Sequence, residues 1–103
     1  MANEEFKGAV LGRGQNSEIR DINDILNERG ATHGDFKTQA WVSQELKAML
    51  RNGPNWSIMT ADKREALEMV CHKMSRIVCG KDDFDDSWRD ICGYVTLVLR
   101  TLS

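Results

Sequence analysis

Three breaks divide this chain into four stretches, each with the apolar spacing of a helix. They are Gly30, the run Asn52-Gly53-Pro54-Asn55, and Gly80. Glycine and proline punctuate regular structure because one leaves the backbone free and the other removes a hydrogen-bond donor. Before the first break, Ile19, Ile22 and Leu26 recur at steps of three and four, which predicts a helix over about 18–29. Ser17 is placed to cap it and Gly30 to stop it. After a turn at Ala31–Asp35, with Thr32 or Asp35 as the cap, a second helix is expected over about 36–52. Its apolar positions are Phe36, Ala40, Val42, Leu46, Met49 and Leu50.

Thr60 can cap a third helix over about 61–79, with Asp62 in its first turn, where a carboxylate suits the helix dipole. A short acidic connection then leads to a fourth helix over about 84–101. Trp88, Ile91, Cys92, Val95, Val98 and Leu99 should be its buried face. No stretch alternates with period two, and no Asn-Gly or Asp-Gly joins β-branched runs. The expectation is an all-α, four-helix, bundle-like domain over 17–103, its third and fourth helices antiparallel neighbours. Residues 1–16, with Gly8, Gly12 and Gly14, are expected as a flexible arm, in which Ala9-Val10-Leu11 could dock on a partner subunit.

Composition narrows the function classes. At 103 residues and 11.7 kDa the chain has room for one small core. A net charge of −2 and a pI near 5.6 supply no basic field, and no helix reads as a basic recognition helix, so nucleic acid is a disfavoured partner. No apolar run is long enough to span a bilayer. The chain opens Met1-Ala-Asn-Glu-Glu-Phe6, acidic and without an apolar signal core. Cys71, Cys79 and Cys92 cannot all pair within one chain and form no Cys-x-x-Cys. They read as reduced thiols, and the expected compartment is the cytoplasm. A zinc site from these cysteines and His72 lacks the usual ligand spacing.

Chemistry is best sought among the acids of the last two helices. Glu65 and Glu68 are three residues apart, Asp86 and Asp90 four apart, so each pair shares a helical face. Two antiparallel helices can aim both pairs at one point. Carboxylates that close repel unless a cation or protons intervene, and an all-oxygen ligand set suits Mg²⁺, with Mn²⁺ as the substitute. Acids at 82–85 are explained by solvation and the helix dipole, whereas Glu68 and Asp90 lie inside their helices and need another reason.

Lys73 and Arg76 also call for partners. Neither has an acid three or four residues away, so no salt bridge within their own helix is open to them. Solvated surface cations are the plain alternative. His33 and Asp35 sit in a loop, where polar residues often carry function, although turn chemistry alone can account for them. Gly93 lies on the Asp86/Asp90 line with Tyr94 beside it, and its place inside a helix suggests close approach by a neighbour or ligand.

Several of these segments together resemble a family of small phage and prophage proteins: Thr32-His33-Gly34-Asp35-Phe36, Arg64-Glu65-Ala66-Leu67-Glu68-Met69, His72-Lys73-Met74-Ser75-Arg76-Ile77, and Trp88-x-Asp90-Ile91-x-Gly93-Tyr94. The resemblance spans about residues 22–99. Within it, Lys73-x-x-Arg76 and Asp86-x-x-x-Asp90-x-x-x-Tyr94 are similar to the all-α nucleoside triphosphate pyrophosphohydrolases, the MazG-like group. That resemblance implies a four-helix core, Mg²⁺ held on Glu65, Glu68 and Asp90, a homodimer or tetramer, and release of pyrophosphate from a nucleoside triphosphate in host-cell cytoplasm.

The group's second glutamate would fall at Ser87, and Asp86 is the candidate substitute. In the implied mechanism Glu65 or Glu68 orients the attacking water, while Lys73 and Arg76 face the outer phosphates. His33, Asp35 and Tyr94 contact base or sugar. Ser87 and the acidic loop 82–86 favour an alternative, a non-catalytic phage accessory protein that binds a nucleotide or a host protein.

Overall fold

The computed structural model describes residues 12–102, with side chains from Asp21 onward. Four helices follow in order: α1 (Gly12–His33), α2 (Phe36–Leu50), α3 (Ala61–Cys79) and α4 (Asp85–Leu102), with a single 3₁₀ turn at Trp56–Ile58. No strand occurs among the described residues, and the all-α expectation holds. No helix among them is long and apolar enough to cross a membrane.

The first boundary differs from expectation. α1 begins at Gly12, inside the stretch read as an arm; the remainder of that arm, including Ala9-Val10-Leu11, lies outside the described residues. α1 also continues through Gly30 to His33. A glycine inside a helix costs only about 1 kcal/mol, and three further helical residues carry α1 to the real break at Gly34. There φ is +85°, and the Gly34 N–H donates to the Gly30 carbonyl at 2.9 Å. Asp35 is the cap of α2, its carboxylate accepting from the Thr38 N–H at 3.1 Å. Thr60 holds the capping position of α3 without a side-chain bond to the helix.

α3 is the hub. It packs along α2 on one side and α4 on the other, and the end of α1 lies across it, while α2 and α4 scarcely touch. Both neighbours run antiparallel to α3. Gln39 near the start of α2 meets Ser75 near the end of α3, and Arg51 after α2 meets Glu68 nearer the start of α3. The Gln39 Nε2 donates to Ser75 Oγ at 2.7 Å, and that hydroxyl donates to the His72 carbonyl at 2.6 Å.

The interior is unusually polar. Among the described residues Gln39, Ser43, Ser75 and Ser87 are buried, against only Ala66, Cys71 and Ile77 of the apolar ones. α2 meets α3 through Gln39, and of the apolar set expected from spacing Ala40, Val42, Leu46 and Leu50 are half-buried. Phe36 (72% exposed) and Met49 (69%) face outward. α4 departs in the same way: of its expected buried face only Ile91 and Val98 are even half-buried, and Cys92, Trp88, Val95 and Leu99 are exposed. Spacing locates an apolar face but does not say what covers it. The radius of gyration is 17.0 Å, against about 13 Å for a compact chain of this length.

The junction of α1, α2 and α3 leaves no room for side chains. A Cβ on Gly34 would sit 2.0 Å from the Cys79 carbonyl oxygen, and one on Gly80 would sit 2.1 Å from that of Thr32. The Lys81 N–H donates to the same Thr32 carbonyl at 2.7 Å. Gly34→Ala and Gly80→Ala should each destabilise the protein by about 1–3 kcal/mol or more, read as a lower urea midpoint, with Gly34→Ala also penalised by its positive φ. Gly30→Ala, where nothing lies within 4 Å, should be neutral or stabilising in the same titration.

Candidate functional site

The Gly34/Gly80 junction brings the end of α1 over α3 and the start of α4, and a cleft of ≈ 390 Å³ opens between the three. α1 supplies Arg29 and His33, α3 supplies Lys73 and Arg76, and α4 supplies Asp86, Ser87 and Asp90. Phe84, from the loop before α4, forms an aromatic wall. Its ring stands 5.9 Å from that of His33 at an interplanar angle of 67°. The loop is tied down by Trp88, whose Nε1 donates to the Asp82 carbonyl at 2.8 Å.

The cleft contains charges of both signs. Lys73 Nζ lies 2.9 Å from Asp90 Oδ2, so the lysine without an acid in its own helix finds one on α4. Its side chain is only 12% exposed. Arg76 is half-buried and shows no ion pair with any described residue. Its Nε has no hydrogen-bond partner, nor does the buried Nδ1 of His33. Burial and then the charge of Arg29 hold the Arg76 pKa below its ordinary value, with Asp90 and Tyr94 acting the other way. An arginine still stays cationic. His33 is pushed down by burial, then by Arg76, Lys73 and Arg29. His72, behind these cations, is lowered to about 4 by burial first and then by Arg76, Lys47, Lys73 and His33. Both histidines are thus neutral at pH 7.

The acids singled out by spacing divide. Asp86 and Asp90 line the cleft. Glu65 and Glu68 do not: Glu65 is exposed, and Glu68 accepts from Arg51 Nη2 at 2.7 Å at the α2–α3 contact. No group of three or more acids, histidines or cysteines competent to hold a metal occurs among the described residues. The interior positions of Glu68 and Asp90 are accounted for by ion pairs between helices. Of the other sequence candidates, His33 lines the cleft, Asp35 is used as the α2 cap, and Tyr94 lies on the adjoining face of α4 with Gly93 and Leu97.

Arg29, Glu28 and Phe84 line the cleft without having been singled out from spacing. Nothing in their local pattern marks them, since the α1 crossing alone brings Glu28 and Arg29 there. Ser87 is the one buried residue of α4 and part of the cleft wall. Its small side chain permits α4 to lie close to its neighbours, and a glutamate there would have to extend into the cleft or part the helices.

The depressed histidines give the fold a pH dependence. An unfolded His72 takes up a proton near 6.5, a folded one only near 4, so its contribution to stability is full above pH 6.5 and is lost as pH falls toward 4. The urea midpoint should therefore drop between pH 6.5 and 4, and His72→Gln should flatten that part of the profile. Comparison with known proteins finds no matching family model, no matching curated protein and no matching solved structure, so the function is argued from the cleft itself.

Proposed function

We propose that the cleft between α1, α3 and α4 binds the phosphates of a nucleotide. The observation that carries this reading is an unanswered donor: Arg76 Nε is buried without a partner, with Arg29 and Lys73 on the same cleft. Phosphate oxygens supply strong acceptors and offset the mutual repulsion of these cations. The volume of ≈ 390 Å³ suits a ligand of nucleotide size, and Phe84 offers a face on which a base can stack. Neutral His33 gains a proton more readily once an anion is present, so binding should tighten as pH falls below neutral.

A second reading, Mg²⁺-dependent nucleoside triphosphate pyrophosphohydrolysis, is favoured by one further observation: Asp86 and Asp90 border the same cleft as the cations. Magnesium commonly takes one or two carboxylates and completes its shell with substrate phosphate and water, so these two acids suffice as protein ligands. Bound there, the ion would polarise the α-phosphate. Water would add to the α-phosphorus and lose its proton to solvent, the bond to the bridging oxygen would break, and pyrophosphate would leave. Arg76 and Lys73 would offset the charge gathering on that leaving group. Glu65 and Glu68, off the cleft, have no part in this version of the site.

One variant distinguishes the readings by sign. Asp90→Asn releases Lys73 and removes a negative charge, so calorimetric affinity for a dNTP without Mg²⁺ should hold or rise. If the protein hydrolyses the nucleotide, the same change should abolish Mg²⁺-dependent pyrophosphate release. Arg76→Gln should weaken binding about tenfold or more, the loss of one charge-assisted contact. Undiminished dNTP affinity in folded Arg76→Gln, or no nucleotide binding by the wild type, would remove the proposal.

A further inference from the structure

The wall of the cleft carries as many acids as cations. Arg29, Lys73 and Arg76 share it with Glu28, Asp86 and Asp90, so with His33 neutral the formal charge of the lining is zero. The charges are unequally committed. Lys73 is held by Asp90 at 2.9 Å and its side chain is only 12% exposed, so it reaches an anion only by abandoning a partner. Arg29 and Arg76 form no ion pair with any described residue, and Arg76 Nε is buried without a hydrogen-bond partner. Two cations are therefore open to a ligand. The two remaining acids, Glu28 and Asp86, are exposed and likewise unpaired among the described residues.

We infer that the cleft, free of divalent metal, takes a nucleoside monophosphate in preference to the di- and triphosphate, and that Glu28 and Asp86 set this limit. The inference rests on the reading of the cleft as a nucleotide site and names the class of nucleotide. A phosphomonoester carries about −2 at pH 7, and each further phosphate adds about −1. Its single phosphate is matched by the two uncommitted guanidiniums, whose planar forks each grip a phosphate group through paired oxygens. Beyond them no further cation lines the cleft except Lys73, which Asp90 already holds.

A longer ligand meets acids instead. Its second and third phosphates would share the cleft with Glu28 and Asp86, neither of them neutralised by a neighbour. Like charges about 6 Å apart at a solvent-exposed rim weaken binding by roughly tenfold. A divalent cation would offset about two of the added charges, so the preference belongs to the metal-free cleft. Size agrees with charge. The volume of ≈ 390 Å³ lies near the small end of ligand cavities, which run from roughly 300 to 1,000 Å³. The smallest nucleotide is the one that both measures favour.

Calorimetry in EDTA with the 5′-mono-, di- and triphosphates of the four deoxynucleosides tests this. For the base that binds, affinity should fall along the series, the monophosphate binding about tenfold or more tighter than the triphosphate at low salt. The gap should narrow as salt rises, because repulsion at an exposed rim is screened. Glu28→Gln combined with Asp86→Asn should strengthen triphosphate binding about tenfold or more and monophosphate binding less, closing most of the gap. Both positions are exposed, so the double variant should fold as the wild type does. A triphosphate that binds as tightly as its monophosphate in EDTA, or a double variant that leaves their ratio unchanged, would overturn the inference and leave nucleotide binding intact. Absence of binding across the whole panel would instead remove the nucleotide reading itself, and this inference with it.

Discussion

Two glycines packed against backbone carbonyls hold the molecule in its shape. Gly34 leaves the end of α1 with a positive φ and lies against Cys79, while Gly80 leaves the end of α3 and lies against Thr32 and His33. A side chain at either position would collide with main chain, which cannot swing aside as a flexible side chain can. Because the backbones meet here, the last turn of α1 lies over the last turn of α3, and Lys81 bonds to Thr32. His33 is thereby set against Phe84, and Arg29 lies on the same cleft as Lys73 and Arg76. The cleft is a consequence of that crossing.

Away from the crossing, polar contacts set how the helices lie against each other. Gln39–Ser75, Arg51–Glu68 and Lys73–Asp90 each join α3 to a neighbour. The exposed Arg51 limits what its pair contributes to stability, since solvent screens the charge. Lys73 is nearly enclosed, so its pairing with Asp90 matters more, and loss of the acid would leave a poorly solvated cation. Such contacts give direction and register, while much apolar surface along α4 is left exposed. One end of the α3–α4 pair is thus a charged cleft and the other an apolar groove.

Much of this architecture was legible residue by residue. Apolar steps of three and four found all four helices, and Asp35 before Phe36 found its cap, because both signals act within a single turn. Gly30 misled: a glycine ends a helix only where the chain must take a positive φ or approach another backbone closely, and that place is Gly34. The missing acid neighbours of Lys73 were a true signal with a remote answer, Asp90 on another helix. The pairing of Glu65/Glu68 with Asp86/Asp90 required two helices to be level at those residues. Their register instead sets Lys73 beside Asp90 and leaves Glu68 to Arg51.

Local chemistry alone therefore specified the helices, their approximate limits, the antiparallel run of α3 and α4, and the absence of strands among the described residues. These follow from periodicity and backbone preference over a few residues. Tertiary structure decided which faces meet, which acids pair with which cations, and that Glu28, Arg29 and Phe84 share a cleft with Asp86 and Asp90. The reason is that an amphipathic pattern gives the direction of an apolar face and not the identity of its neighbour. On α4 the neighbour inside the chain covers only part of that face, and no count of apolar steps reveals it.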